Sequence, residues 1–221
     1  MTLMHTAAIF DMDGLLVDSE PYWERAEQDV FGQMGLELTP GMCALTRGRR
    51  IAEIAAYWYA RRELPGDIAT TAARLQARVT QLLSEHACAM PGVMAVLDLL
   101  RERGFTLGLA SSSPRPIIDA VLERLGIGPR FAAVVSANDL DHGKPHPQVY
   151  LHCASLLGTE AARCIAFEDS VTGLLACKSA SMAAVAVPDS AVFDDPRFSI
   201  ADLKLPSLAL LTPDHLRQLA V

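Results

Sequence analysis

The period of the apolar positions changes along the chain, and those changes predict its elements. Residues 6–11 form a short, nearly continuous apolar run that reads as a buried strand. From about Glu20 to Glu85 the period becomes helical. Tyr22, Ala26 and Val30 recur on one face, with Gly35 as a stop. Ile51, Ile54, Ala55 and Trp58 recur before Pro65-Gly66, and Ile68, Ala72, Leu75, Val79 and Leu82 form a third set opened near Asp67. The block predicts three or four amphipathic helices and no strand.

Pro91-Gly92 ends that block, and beyond it helical and extended patterns alternate. A helix is expected over 93–103, stopped by Gly104, and a strand over 105–110. Ser113-Pro114 opens a helix running to Gly126, with Ser113 as N-cap. A strand over 131–136, a helix over 147–157 stopped by Gly158, a strand over 164–167, a helix over 171–179 and a strand over 183–187 follow. Residues 192–198 and 207–221 read as peripheral, with a last helix starting at Thr212-Pro213-Asp214. Strands alternating with helices imply a parallel sheet covered on both faces. The expected class is therefore α/β, a Rossmann-like parallel-sheet core with a small helical domain inserted after the first strand. The expected bounds are 1–17 and 88–221 for the core and 18–87 for the insert.

Bulk properties narrow the function classes. A chain of 221 residues can bury a sizeable core and carry a small insert. A net charge of −7 argues against nucleic acid, which selects basic surfaces. No apolar run reaches the ~18 residues that read as a membrane span. The N-terminus lacks a basic region followed by a long apolar stretch, so neither a membrane partner nor a signal peptide is expected. Cys43, Cys88, Cys153, Cys164 and Cys177 show no CxxC spacing and read as small hydrophobes in a reducing, cytoplasmic compartment. A monomer is the default expectation.

In an open parallel sheet, ligands bind at the carboxyl ends of the strands, so the residues that follow each strand carry the functional reading. Asp11 and Asp13 follow the first at i, i+2, which points both side chains the same way in extended chain. Two like charges so close resist joint ionisation. A divalent cation, or a division between nucleophile and acid/base, accounts for the pair; so does an ordinary helix cap plus a turn Asp. Ser111, Ser112 and Ser113 follow the second strand and precede a helix start, as an anion site or a plain serine cap. Lys144 lies in Asp141-His142-Gly143-Lys144-Pro145-His146-Pro147 after the third, as a phosphate charge or a solvated lysine, and His146 could order that corner. Glu168 and Asp169 follow the fourth, as a second acidic pair or as acids favoured at a helix N-terminus. Together these residues suit Mg²⁺, which takes oxygen ligands, and the layout of phosphoryl transfer. The histidines are too scattered for a zinc site.

On these residues the sequence resembles the haloacid dehalogenase superfamily. Its four motifs match, in order, Asp11-Met12-Asp13-Gly14, Ser111, Lys144-Pro145 and Glu168-Asp169, and the helical insert resembles that superfamily's small cap. Within it the chain is similar to phosphatases of small sugars acting on hexitol phosphates and 2-deoxyglucose 6-phosphate. That closer likeness runs through Phe10-Asp11-Met12-Asp13-Gly14-Leu15-Leu16, Asp18-Ser19-Glu20-Pro21 and Trp58-Tyr59-Ala60-Arg61. It continues in Gly108-Leu109-Ala110-Ser111, Lys144-Pro145-His146-Pro147-Gln148-Val149-Tyr150-Leu151 and Asp195-Pro196-Arg197-Phe198. The resemblance implies Mg²⁺-dependent hydrolysis of a small phosphorylated sugar through an aspartyl-phosphate. Asp11 would be nucleophile and metal ligand. Asp13 would protonate the leaving alkoxide and then activate water, its backbone carbonyl reaching the metal. Asp169 would be a second carboxylate ligand and Glu168 a ligand directly or through water. Ser111 and the Ser112 backbone would hold phosphate oxygens, and Lys144 would neutralise charge on Asp11 and the transferring group.

Departures from related patterns sharpen this. Dehalogenases of the superfamily lack the acid at Asp13 and need no Mg²⁺. Phosphonate-cleaving relatives use a cap lysine, and residues 20–86 contain none. The alternative is a β-phosphoglucomutase-type mutase. Such mutases carry a histidine where this chain has Trp23 and an arginine where it has Ile51. Trp23, Arg49 and Arg50, with Arg47 beside them, are the candidate cap contacts to substrate; packing of Trp23 between cap helices and a solvated basic loop are the competing readings. The non-enzymatic alternative is a phosphate-sensing regulatory protein on the same fold, which has little need of two apposed acids. A receiver domain lacks an insert of this size.

Overall fold

The computed structural model describes residues 5–219. One parallel sheet holds β1 (Ala7–Phe10), β2 (Thr106–Ser111), β3 (Ala133–Ser136), β4 (Cys164–Glu168), β5 (Ala183–Ala186) and β6 (Leu203–Lys204), in the order β3-β2-β1-β4-β5-β6. The chain steps outward from β1 to β3, crosses back to β4, and steps outward again. This reversal puts the topological switch point between β1 and β4, where ligands bind in such sheets. Phe10 is in register with both Leu109 and Phe167, so Asp11 and Glu168 leave the sheet side by side.

Both faces of the sheet are covered, and the strand side chains alternate between them. Ala8 and Phe10 join the cluster formed with α5 (Val93–Glu102) and α6 (Arg115–Leu125), whereas Ala7 and Ile9 join the one formed with α7 (Gln148–Leu156) and α8 (Val171–Ser179). The first cluster continues without a break into the helical block, where Phe31, Trp58 and Leu75 are buried. That block comprises α1 (Glu20–Gly32), α2 (Pro40–Cys43), α3 (Ile51–Tyr59) and α4 (Ile68–His86), and Asp67 caps α4 through the Thr70 N–H at 2.8 Å. α4 packs against α1 and α3 and also against α6 of the core. Where the chain leaves the core and returns, Val17 and Ala89 form an antiparallel bridge and Met90 N donates to Leu16 O at 3.0 Å.

Three expectations are corrected. Residues 192–197 stay at the surface as expected, but a 3₁₀ turn at Pro196–Ile200 puts Phe198 into the α7–α8 cluster. The segment after 207 likewise buries Leu208, Leu211 and Leu216, and α9 (Pro213–Leu219) forms where the last helix was expected. β6, with only two residues, carries no alternation to read; its place is set by Asp202 N to Ala184 O and Leu205 N to Ala186 O. Ser113 is not the cap of α6. Pro114 holds that position, because the Ser113 hydroxyl is engaged elsewhere. Residues 1–4 and 220–221 of the expected bounds lie outside the described residues.

Phe10 and Phe167 stack at 4.6 Å with planes 6° apart beneath the carboxyl ends of β1 and β4. Phe10→Ala should cost about 3–5 kcal/mol, the range for a buried aromatic truncated in a packed core. Urea denaturation should show a lower midpoint at unchanged slope.

Candidate active site

A buried charge cluster forms at the switch point. Lys144 Nζ donates to Asp11 Oδ1 at 2.7 Å and to Glu168 Oε1 at 2.6 Å, with only 6% of the lysine side chain exposed. Burial works against its positive charge, but Asp11 and Glu168 outweigh that and raise its pKa above the ordinary lysine value. Glu168 is completely buried. Oε1 also accepts from Tyr150 Oη at 2.5 Å, and Oε2 accepts from Ser170 Oγ at 3.1 Å and Ser170 N at 3.4 Å. Burial holds the Tyr150 phenol well above its usual pKa, so it stays a donor. Space for Glu168 exists only because residue 173 is glycine: a Cβ there would fall 1.9 Å from Cδ of Glu168. Gln148 N donates to His146 Nδ1 at 3.3 Å and His146 N to Gly143 O at 3.0 Å, so His146 folds the corner that carries Lys144.

Asp13 has a different environment two residues from Asp11. Its Oδ1 accepts from Ser19 Oγ at 2.6 Å and Trp23 Nε1 at 3.4 Å; its Oδ2 accepts from Ser113 Oγ at 2.8 Å and Ser111 Oγ at 3.4 Å. Two of these donors belong to the core and two to the start of the helical block. The turn after β1 that makes this possible contains Gly14 at φ 76°, and the Asp169 carboxylate occupies the space a Cβ at Gly14 would take, with Oδ2 only 2.2 Å from it. Ser170, not either acid, caps α8 by accepting from Gly173 N at 3.0 Å, so Glu168 and Asp169 are released from a helix-capping role.

Asp11, Glu168 and Asp169 each bring one carboxylate oxygen within 4.8 Å of the others. Burial pushes the Asp11 carboxyl up to about 7, opposed by Lys144 and reinforced by Glu168 and Asp13. Burial, then repulsion from Asp11 and Glu168, holds Asp169 well above the usual carboxylate range. One lysine does not balance this many acids. An all-oxygen, over-acidic cluster fits a divalent cation, which would restore the ionised forms. The Asp13 carboxylate is not in the cluster, being taken up by its four donors.

A cavity of about 320 Å³ opens above Asp11, Asp13, Lys144 and Asp169 and is roofed by α1, α3 and the segment between α2 and α3. Ser112 lines it, while Ser111 lies fully buried beneath. All of the candidate cap residues border the cavity, and the structure gives each of them a protein partner. Trp23 both packs on the core and donates to Asp13. Arg47 pairs with Glu20 at 2.7 Å, Arg49 lies 5.1 Å over the Tyr57 ring, and Arg50 Nη2 crosses to the core to donate to Ala137 O at 3.3 Å. Sequence reasoning missed Ser19, Tyr150 and the Asp13 contact of Ser113. Ser19 and Tyr150 lie in matching motifs and Ser113 in the serine run after the second strand, without any indication of which atom each would touch.

A family model described as haloacid dehalogenase-like hydrolase matches residues 5–181. The chain belongs to that family. It is 43% identical to hexitol phosphatase B of Escherichia coli K12 over 95% of this chain and 96% of that protein. It is 31% identical to fructose-1-phosphate phosphatase YqaB of the same organism over 83% of this chain and 96% of that one. The crystal structure of CbbY from Rhodobacter sphaeroides in complex with phosphate superposes with a TM-score of 0.88 at 24% identity, covering 97% of this chain and 100% of CbbY, which shows the shared fold. Family and relatives together make this chain a phosphoric monoester hydrolase.

Two substitutions separate the supports of Glu168. Gly173→Ala forces a methyl into its carboxylate and should destabilise the fold by about 1–3 kcal/mol, the usual penalty of overpacking, while displacing a partner of Lys144. Tyr150→Phe keeps the volume and removes one buried donor, costing ~1–3 kcal/mol. Denaturation curves with initial rates of phosphate release should show activity falling further in Gly173→Ala.

Proposed function

We propose that this protein is a Mg²⁺-dependent phosphatase of small sugar phosphates, of the hexitol or 2-deoxyhexose 6-phosphate type, acting through an aspartyl-phosphate, with residues 18–87 as a cap over the core. The observation that carries this reading is the pair of carboxylates facing one cavity in two different environments. Asp11 is set against a buried ammonium, and Asp13 is held by hydroxyl and indole donors. Such a divergence assigns different roles to neighbouring acids. The likeness to hexitol phosphatase B supports the substrate class. The five cysteines are all free, in keeping with a reducing cytoplasmic setting. Among the described residues no helix is long and apolar enough to cross a membrane.

In this reading Asp11 attacks phosphorus as the bond to the sugar oxygen breaks, and Asp13 gives its proton to the departing alkoxide. Asp13 then takes a proton from water, whose oxygen attacks the aspartyl-phosphate, releasing inorganic phosphate and restoring Asp11. Lys144 offsets charge on Asp11 and on the transferring group, the Ser112 backbone N–H holds a phosphate oxygen, and Ser111, buried beneath the cavity, would turn its hydroxyl from Asp13 to a second one. Asp11, Asp169 and the Asp13 carbonyl would hold Mg²⁺ directly. Glu168, both of whose oxygens already accept protein hydrogen bonds, would do so through water. The ion supplies charge neutralisation at the phosphoryl oxygens when bound.

Phosphate release should be seen from sorbitol 6-phosphate and 2-deoxyglucose 6-phosphate with Mg²⁺ and vanish with EDTA. Asp11→Asn should lower it by about three orders of magnitude or more, as expected for a lost nucleophile. Conversion of β-glucose 1-phosphate to glucose 6-phosphate with little free phosphate would instead make this a mutase.

The raised Asp11 pKa predicts a pH dependence. A carboxyl raised from 3.8 to about 7 contributes stability below its unfolded pKa and loses it as pH rises through the folded value. In EDTA, the melting temperature of the wild type relative to Asp11→Asn should therefore fall between those two values. Mg²⁺ should stabilise the wild type most at the alkaline end. An offset between the two proteins that does not vary with pH in EDTA would refute the assignment.

A further inference from the structure

Among the described acids of the cavity roof, one carboxylate is both buried and without a cationic partner. Glu20, Glu24 and Glu27 recur on one face of α1 and all border the cavity. Glu20 is paired with Arg47, and Glu24 accepts from Gln28 at 3.3 Å. Glu27 is only 3% exposed, and no ion pair among the described residues includes it. Arg47, Arg49 and Arg50 line the same cavity, but Arg47 is paired with Glu20 and, among the described residues, none of the three pairs with Glu27. Its other cavity neighbours Cys43, Ile51 and Ile54 are uncharged. A buried carboxylate without a cation is costly unless donors satisfy it.

The donors available inside the protein are too few. An ionised carboxylate has about four acceptor sites. Thr46 Oγ1 lies 2.8 Å from Glu27 Oε2 and also 2.8 Å from the Cys43 carbonyl oxygen, and its single proton serves one of them at a time. The buried indole N–H of Trp58 is near enough to favour the ionised carboxylate, yet it has no partner in hydrogen-bond geometry. Glu27 therefore has acceptor capacity to spare beside the cavity. It lies one helical turn beyond Trp23, the residue that touches Asp13, which is roughly 6 Å farther along the helix axis from the reacting end. An unbalanced carboxylate at that distance repels a phosphate and attracts neutral donors.

We propose that Glu27, braced by Thr46, is a specificity-determining residue that hydrogen-bonds the hydroxyl groups of the substrate at the end remote from the transferred phosphate, selecting polyhydroxylated monophosphates and disfavouring a second phosphate there. This rests on the sugar-phosphate reading above. Burial, opposed by Thr46 and Trp58, pushes the Glu27 carboxyl up to about 7, so near neutral pH it can both accept from and donate to a polyol.

The test compares kcat/KM for sorbitol 6-phosphate, for hexyl phosphate, which has the same length and no hydroxyls, and for fructose 1,6-bisphosphate. Glu27→Leu should lower the sorbitol 6-phosphate to hexyl phosphate ratio by ~10–100-fold, the scale on which a lost polar contact discriminates. Thr46→Val should lower it in the same direction and by less. Glu27→Gln, which keeps shape and removes charge, should raise relative turnover of the bisphosphate by about tenfold. Should Glu27→Leu fail to fold, the other two variants decide alone. A wild type that does not prefer sorbitol 6-phosphate to hexyl phosphate overturns the sugar-phosphate reading and this one with it. A wild-type preference that survives in the variants overturns this proposal alone.

Discussion

Lys144 carries a positive charge into a site where little of its side chain meets water, and it is held there by Asp11 and Glu168. Burying a single ion costs several kcal/mol even after relaxation, so the surrounding structure must over-determine the cluster. It does so from four directions. The parallel register of β1 and β4 sets Asp11 beside Glu168. Tyr150 from α7 and Ser170 at the start of α8 saturate Glu168. The absent side chain of Gly173 leaves room for the carboxylate. The turn ordered by His146 presents the lysine itself. Removing any one of these leaves a buried charge short of a partner, which is more damaging than never having made the pair.

Asp13 is the counterpart of that cluster, since its environment joins the two parts of the molecule. Ser111 and Ser113 hold it from the core, and Ser19 and Trp23 from the point where the helical block begins. Asp13 therefore has all four of its donors only when α1 stands over the sheet as it does here. Arg50 makes a second crossing, from the segment before α3 to the carbonyl of Ala137. Both contacts couple the position of the roof to the chemistry at the floor. The contacts that hold the roof in place are thus in part the contacts that hold Asp13.

The cavity wall follows a related division. Its floor pairs acids with a lysine and hydroxyls, suited to a phosphoryl group. Its roof pairs arginines with protein partners and leaves Glu27 with unused acceptor sites, suited to a neutral, hydroxylated remainder. One end is built for charge and the other for hydrogen bonding. Such a site can fix the orientation of a sugar phosphate without gripping it at both ends.

Much of this was legible in the sequence. The period-2 and continuous apolar runs gave β1 to β5, and the helical stripes with Gly35, Gly104, Gly126 and Gly158 as stops gave the helices, because those signals are local consequences of backbone geometry. The acids, serines and lysine at strand ends were likewise readable, since topology alone gathers strand ends at one edge. What the sequence left open was every choice that depends on a contact between distant residues. Ser113 reads as a helix cap until Asp13, a hundred residues earlier, claims its hydroxyl. Phe198 reads as peripheral until it finds the α7–α8 cluster. Trp23, Arg49 and Arg50 read equally as packing, solvated or substrate-facing residues, and only the tertiary structure shows that all three border the cavity with a protein partner each. Glu27 carries no sequence signal at all, because one more polar position on an amphipathic helix is unremarkable until the fold buries it. Local pattern determined which elements exist and which chemistry lies at their ends; the tertiary structure decided which atoms meet, because hydrogen-bond and charge pairing are settled within a few ångströms that no sequence separation records.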